Sequence, residues 1–187
     1  MKIKAKDNAH VKEFGVTSTP AATGGDLAFA QVLIAAGMVT RAVVDPLLQR
    51  LPAERAAATQ NGQTLTLLQL LTNEKVAKLD DLLSVSIKQS GLPYLPLATY
   101  DVDRDIACLL PREIAFEFCL VPFDRISRCV LIAITNPMDK AIRERVRGLL
   151  GCDLFWYVSA PAEITNALRQ AHGLNNDRRA DTHNPKQ

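Results

Sequence analysis

The run Cys129-Val130-Leu131-Ile132-Ala133-Ile134 is apolar at every position and is followed directly by Thr135-Asn136-Pro137-Met138-Asp139. A strand with one face in water alternates apolar and polar residues. A strand that does not alternate is covered on both faces. This hexapeptide therefore requires a sheet with elements packed above and below it, and its neighbours in sequence supply them.

Downstream, Asn136 reads as an N-cap, Pro137 as the first helical residue and Asp139 as the third, near the positive end of the helix dipole. The helix carries Ile142, Val146, Leu149 and Leu150 on one face and Lys140, Arg143, Glu144, Arg145 and Arg147 around the other, and Gly151 closes it. Cys152 to Val158 reads as an aromatic-rich strand. Ser159, Pro161 and Glu163 open a last helix with Ile164, Ala167, Leu168 and Ala171 before Gly173. Upstream, Cys119 to Phe123 reads as a strand joined to the apolar run by the polar turn Asp124 to Arg128, and Pro122 assigns that strand to an edge. The order is strand, strand, helix, strand, helix. It predicts an α+β fold with a small mixed three-stranded sheet, its crossover right-handed.

Before the sheet the period is helical. From Asp26, residues Leu27, Ala30, Val32, Leu33 and Ala36 lead to Gly37. Thr40 then caps a helix with Val43, Val44, Leu47 and Leu48, in which Pro46 is awkwardly placed. After Gln60-Asn61-Gly62, segments Thr64 to Leu71 and Leu79 to Gln89 repeat the theme as a loose second copy. The prolines of Gly91 to Leu97 mark an extended connector, and Asp103 to Leu110 and Pro111 to Phe118 read as short helical pieces. The predicted organisation is a disordered tail over 1–25, a helical subdomain over 26–91, an α/β subdomain over 92–173 and a second disordered tail over 174–187.

Composition narrows the function. The 22 basic and 20 acidic side chains leave a net charge of +2, too balanced for the phosphate footprint of a nucleic-acid binder. No run reaches the roughly 18 apolar residues of a membrane span, and no signal peptide follows Lys2, Lys4 and Lys6, so a cytoplasmic protein without membrane insertion is expected. Cys108, Cys119, Cys129 and Cys152 show no CxxC spacing and read as reduced core residues. There is no GxxxxGK[ST] or GxGxxG loop, and His10, His172 and His183 stand far apart near the termini. The paired carboxylates Asp80-Asp81 and the set Asp101, Asp103, Asp105 sit where helix-start acids belong. We therefore expect no enzyme activity, metal or cofactor.

Two partner surfaces remain. One is the edge strand with the charged turn holding Arg125 and Arg128, suited to strand addition; the other is the Arg143, Arg145, Arg147 face. The edge strand is favoured. A ring of Phe155-Trp156-Tyr157 left uncovered would add an anchor.

Taken together, the stretches GLPYLPL (Gly91 to Leu97), LLPREIA (Leu109 to Ala115), LVPF (Leu120 to Phe123), VLIAITNPMD (Val130 to Asp139) and LLGCDLFWYVSAPAEITNAL (Leu149 to Leu168) form a sequence that resembles the N-terminal domain of type II secretion and type IV pilus assembly ATPases. The likeness covers roughly residues 27 to 173. It implies a helical subdomain before a small α/β subdomain, and docking onto the cytoplasmic part of an inner-membrane assembly protein, with peripheral placement at that membrane through the partner. In some relatives the helical part instead binds cyclic di-GMP through two copies of a motif opening with Arg-Leu-Gly. Here the first copy keeps Leu33, Ile34, Gly37, Val39 and Val44, but Ala28-Phe29-Ala30 stand in place of the triplet. The second keeps Leu71, Leu82 and Gln89, with Thr66-Leu67-Leu68 for the triplet and Lys75 near the second glycine. The cation and the close backbone approach that a phosphate-bearing purine ligand requires are both missing. The expected function is a non-catalytic protein-interaction domain of a secretion or pilus machine. The alternative is a cyclic di-GMP sensor of the same fold.

Overall fold

The computed structural model describes residues 22–174. Its first helix, α1 (Gly24–Ala35), opens with a reciprocal cap: Thr23 Oγ1 accepts from the Asp26 N–H at 3.1 Å, and Asp26 Oδ2 accepts from the Thr23 N–H at 3.0 Å. The expected tail over 1–25 is thus corrected at its end, because Thr23 and Asp26 bond the helix start and Gly25 is buried. The rest of that expected tail, like 175–187 of the C-terminal one, lies outside the described residues.

Helix α2 (Arg41–Gln60) contains both Pro46 and Pro52. Each removes one helical N–H, yet Val44, Leu47 and Leu51 bury their side chains fully enough to carry the helix through. Helix α3 (Leu67–Asn73) opens on a second capping box, Thr66 with Gln69, and α4 (Leu79–Ser90) ends at left-handed Gly91. The two helix pairs share one turn. Gly37 and Lys75 both take left-handed φ, at +72° and +57°. The next N–H in each copy returns to the same carbonyl position, Met38 to Leu33 at 3.1 Å and Val76 to Leu71 at 2.9 Å. The repeat read in the sequence is therefore a backbone repeat. Its stripes meet in one core around Leu33, Val44, Leu51, Leu71 and Leu82.

The connector passes through a single turn of 3-10 helix at Leu97–Thr99 into short helices α5 (Arg104–Ala107) and α6 (Arg112–Glu117). The sheet follows: β1 (Leu120–Ile126), β2 (Cys129–Ile134), α7 (Lys140–Leu150), β3 (Asp153–Val158) and α8 (Pro161–Ala171). The strand order is β1-β2-β3, with β1 antiparallel and β3 parallel to β2. This is an α+β fold. Both faces of β2 are covered, as its unbroken apolar run requires: Leu131 and Ala133 pack with Ile164 and Leu168 of α8, and Val130, Ile132 and Ile134 pack with Ile142 and Val146 of α7.

Two sequence expectations shift. β1 runs on to Ile126, so the loop is only Ser127-Arg128, with Ser127 at φ +55° supplying the left-handed residue such a tight hairpin needs. Asn136 and Pro137 do not start α7. Asp139 is its N-cap, accepting from the Ile142 N–H at 3.0 Å, while Asn136 Oδ1 accepts from the Met138 N–H at 3.1 Å and shapes the turn before it. Two side chains were available to cap: Asn136 bonds the N–H two residues on and closes a turn, whereas Asp139 bonds the N–H three residues on, as a helix cap does.

A buried chain of hydroxyls ties the helical half to the sheet. Thr64 Oγ1 lies 2.6 Å from Thr165 Oγ1, and the Cys119 thiol lies 3.4 Å from Thr64 Oγ1 and 3.2 Å from Thr135 Oγ1. A second tie joins α1 to α7. Gly25 sits so close to Asp139 that a Cβ there would overlap the Asp139 side chain.

Candidate functional site

The arginines singled out in the sequence do not form two surfaces. The hairpin turn brings Arg125 and Arg128 to the end of the sheet where the parallel crossover also delivers the last turn of α7. Arg125, Arg128 and Arg147 thus line one open cleft of about 570 Å³ with Gly151, Cys152 and Asp153. All three side chains are exposed, and Arg147 bonds Glu144 at 2.5 Å. Arg143 goes elsewhere: its guanidinium lies over the Trp156 ring, 5.3 Å from the centroid, and burial followed by the charge of Arg147 pushes its pKa below the ordinary arginine value. Arg145 is exposed and does not line the cleft.

The edges of the sheet differ. β1 is an edge, as Pro122 required, but Leu120 to Phe123 are buried, and α5 and α6 pack against the strand. Only the stretch from Asp124 to Ile126 reaches solvent, beyond a register shift between Pro122 and Asp124. β3 is the other edge. Of its aromatic residues Trp156 is 5% exposed and Phe155 is 58% exposed, so the ring left uncovered is Phe155.

The remnants of the nucleotide motif are mostly core. Leu33, Val39 and Leu71 are buried and Ile34 is half-buried, while Gly37 supplies the left-handed turn. Phe29 and Ala30, in place of the opening triplet, are themselves buried, and Thr66 in the second copy is spent as the α3 cap.

One polar site was missed by sequence reasoning. Arg55 of α2 donates through both terminal nitrogens to Asp26 of α1, each at 2.9 Å, and through Nε to the Leu65 carbonyl at 2.9 Å. Both side chains are buried. With all three guanidinium nitrogens and both carboxylate oxygens engaged, the pair orders α1, α2 and the α3 entrance rather than offering a free charge. The Thr23-x-x-Asp26 spacing was the available signal for its acidic half.

The MshEN domain model matches residues 90–175. Type IV pilus assembly ATPase PilB of Myxococcus xanthus is 30% identical over 94 residues, which are 50% of this chain and 16% of that protein. PilB of Thermus thermophilus is 29% identical over 150 residues, 78% of this chain and again 16% of the relative. The chain therefore spans about one sixth of the length of these relatives. Among solved structures, MshE with cdg aligns with a TM-score of 0.52 at 20% identity, covering 76% of this chain and 97% of that one. The N-terminal domain of XpsE aligns at 0.50 and 16% identity, covering 82% and 97%. These likenesses show the fold, helical pairs and sheet together. The sequence resemblance to the N-terminal domain of secretion and pilus ATPases holds.

Proposed function

We propose that this MshEN-containing chain is a docking module of a type II secretion or type IV pilus machine, that it binds the cytoplasmic part of an inner-membrane assembly protein, and that it catalyses no reaction itself. The carrying observation is that the positions where a nucleotide motif would open are built into the helical core as Phe29 and Ala30, or used as the Thr66 cap. What the domain leaves at its surface is an arginine cleft and an open strand edge. These are features of protein recognition.

The fold shared with MshE with cdg keeps a cyclic di-GMP sensor as the second reading. Against it stands the loss of the opening cation and glycine in both copies, which removes bidentate donation and close main-chain approach. Isothermal titration calorimetry against the cytoplasmic domain of the assembly protein encoded in the same genome, with cyclic di-GMP titrated in parallel, separates the two. The docking reading expects a stoichiometric protein complex and no heat with the dinucleotide below high micromolar. A low-micromolar dinucleotide complex would replace it.

A further inference from the structure

Strands at the edge of a sheet are normally defended, and here β1 is defended along its length whereas β3 is covered only at its Val158 end. β1 carries Pro122, a register shift and a cover of short helices. Asp153 to Val158 contains no proline, lysine or glycine, and its pairing with β2 is unbroken from end to end.

The direction of each main-chain group on β3 follows from the bonds at its end. Ser159 donates its N–H to the Ile134 carbonyl at 3.2 Å, so it faces β2. Val158 faces the opposite way, donating to the Pro93 carbonyl at 2.9 Å and accepting from the Leu95 N–H at 2.8 Å. Alternation then turns the N–H and C=O of Trp156 and Leu154 outward as well. Among the described residues nothing pairs with them there, since the parallel contact with the connector is a single bridge, Tyr94 with Val158. The connector thus begins a fourth strand and abandons it, leaving a slot beside Leu154 to Trp156.

The slot has a chemistry. On the face toward α8, Phe155 stands 58% exposed, and by register Ile126, 59% exposed, shares that face. At the Asp153 end, a strand overrunning β3 meets the cleft of Arg125, Arg128 and Arg147. Charge complementarity therefore selects the occupant. We propose that the free edge of β3, rather than β1, receives an extended segment of the partner protein as an added strand, with an apolar residue on Phe155 and acidic residues in the arginine cleft. This rests on the docking function proposed above and names the segment it recognises.

The test uses the full chain and the partner's cytoplasmic domain. Leu154→Pro deletes an outward N–H and no bond to β2; Arg125→Glu/Arg128→Glu/Arg147→Glu reverses exposed charge and gives up only the exposed Arg147–Glu144 pair. Each folded variant, checked by circular dichroism, is expected to bind roughly tenfold or more weakly, and the amides of Leu154 and Trp156 to gain exchange protection in the wild-type complex. Equal binding by folded Leu154→Pro overturns the proposal. If that variant does not fold, absence of new protection at Leu154 and Trp156 overturns it instead. A separate arm uses a short valine-threonine peptide ending in glutamates against the same peptide ending in lysines. Preference for the glutamate peptide, with shifts at Leu154 and Trp156, supports the proposal; no preference overturns it. If the wild type forms no complex with the partner domain while the glutamate peptide binds at β3, the docking partner was wrong and the edge assignment stands.

Discussion

Arg55 and Asp26, separated by 29 positions in sequence, form a buried two-pronged ion pair whose hydrogen bonds are both 2.9 Å long. Removing one partner leaves the other charge in a dry site. Arg55→Ala is therefore expected to lower unfolding free energy by about 3–5 kcal/mol, whereas a double replacement by apolar residues of similar volume recovers much of that loss. Urea denaturation of both variants measures the difference.

Lys75 occupies the left-handed turn that Gly37 occupies in the first helix pair. A side chain in this conformation costs roughly 1–2 kcal/mol, so Lys75→Gly is expected to raise stability by about 1 kcal/mol after the added freedom of glycine in the unfolded chain is subtracted. Gly37→Lys should lower it. A rise in the urea midpoint for the first and a fall for the second, with unchanged slopes, is the expected result.

At the start of α7 the helix cap is Asp139, and Asn136 serves the preceding turn. Asp139→Ala should cost about 1–2 kcal/mol, as loss of a cap does, and Asn136→Ala less than Asp139→Ala. Thermal unfolding of the two variants ranks them; the reverse order would restore Asn136 as the cap.

His172 packs against Phe116 with its ring centroid 5.8 Å away, and its pKa lies below the ordinary value of 6.5 because of burial first and then the charges of Arg112 and Arg104, partly offset by Glu113. The unfolded chain thus takes up the proton before the folded one does. Stability associated with His172 is complete above pH about 6.5 and is lost as pH falls through the lower folded value. The melting temperature should drop between pH 7 and pH 5 by less in His172→Phe than in the parent.

The cysteines differ in reach. Cys119 is fully buried and its thiol is pushed up by burial, whereas Cys108 is exposed. Brief alkylation of the native protein followed by mass spectrometry should label Cys108 first and Cys119 last, since attack requires an accessible thiolate.

Most of the architecture was legible because it is local. The apolar run of β2 announced a covered strand, and Pro122 announced an edge. What was not legible depended on which distant groups meet. Thr23 and the paired glycines read as tail up to the helical pattern at Asp26, because polar residues around paired glycines look the same whether they loop or begin a helix. Pro46 argued against a helix that tertiary burial of its own Val44, Leu47 and Leu51 holds together, and that carries Pro52 as well. The arginines were visible individually, but only the parallel crossover puts Arg147 beside Arg125 and Arg128, and sequence spacing carries no trace of that.

The close approach of Gly25 to Asp139 has a mechanical meaning. The first turn of the helical half rests directly on the residue that caps the crossover helix of the sheet half, with no side chain between them to act as a bearing. Rotation of one half on the other would have to pull that cap off its helix. A load applied to the sheet is thus handed to α1 without slack, and the two halves should turn as one piece.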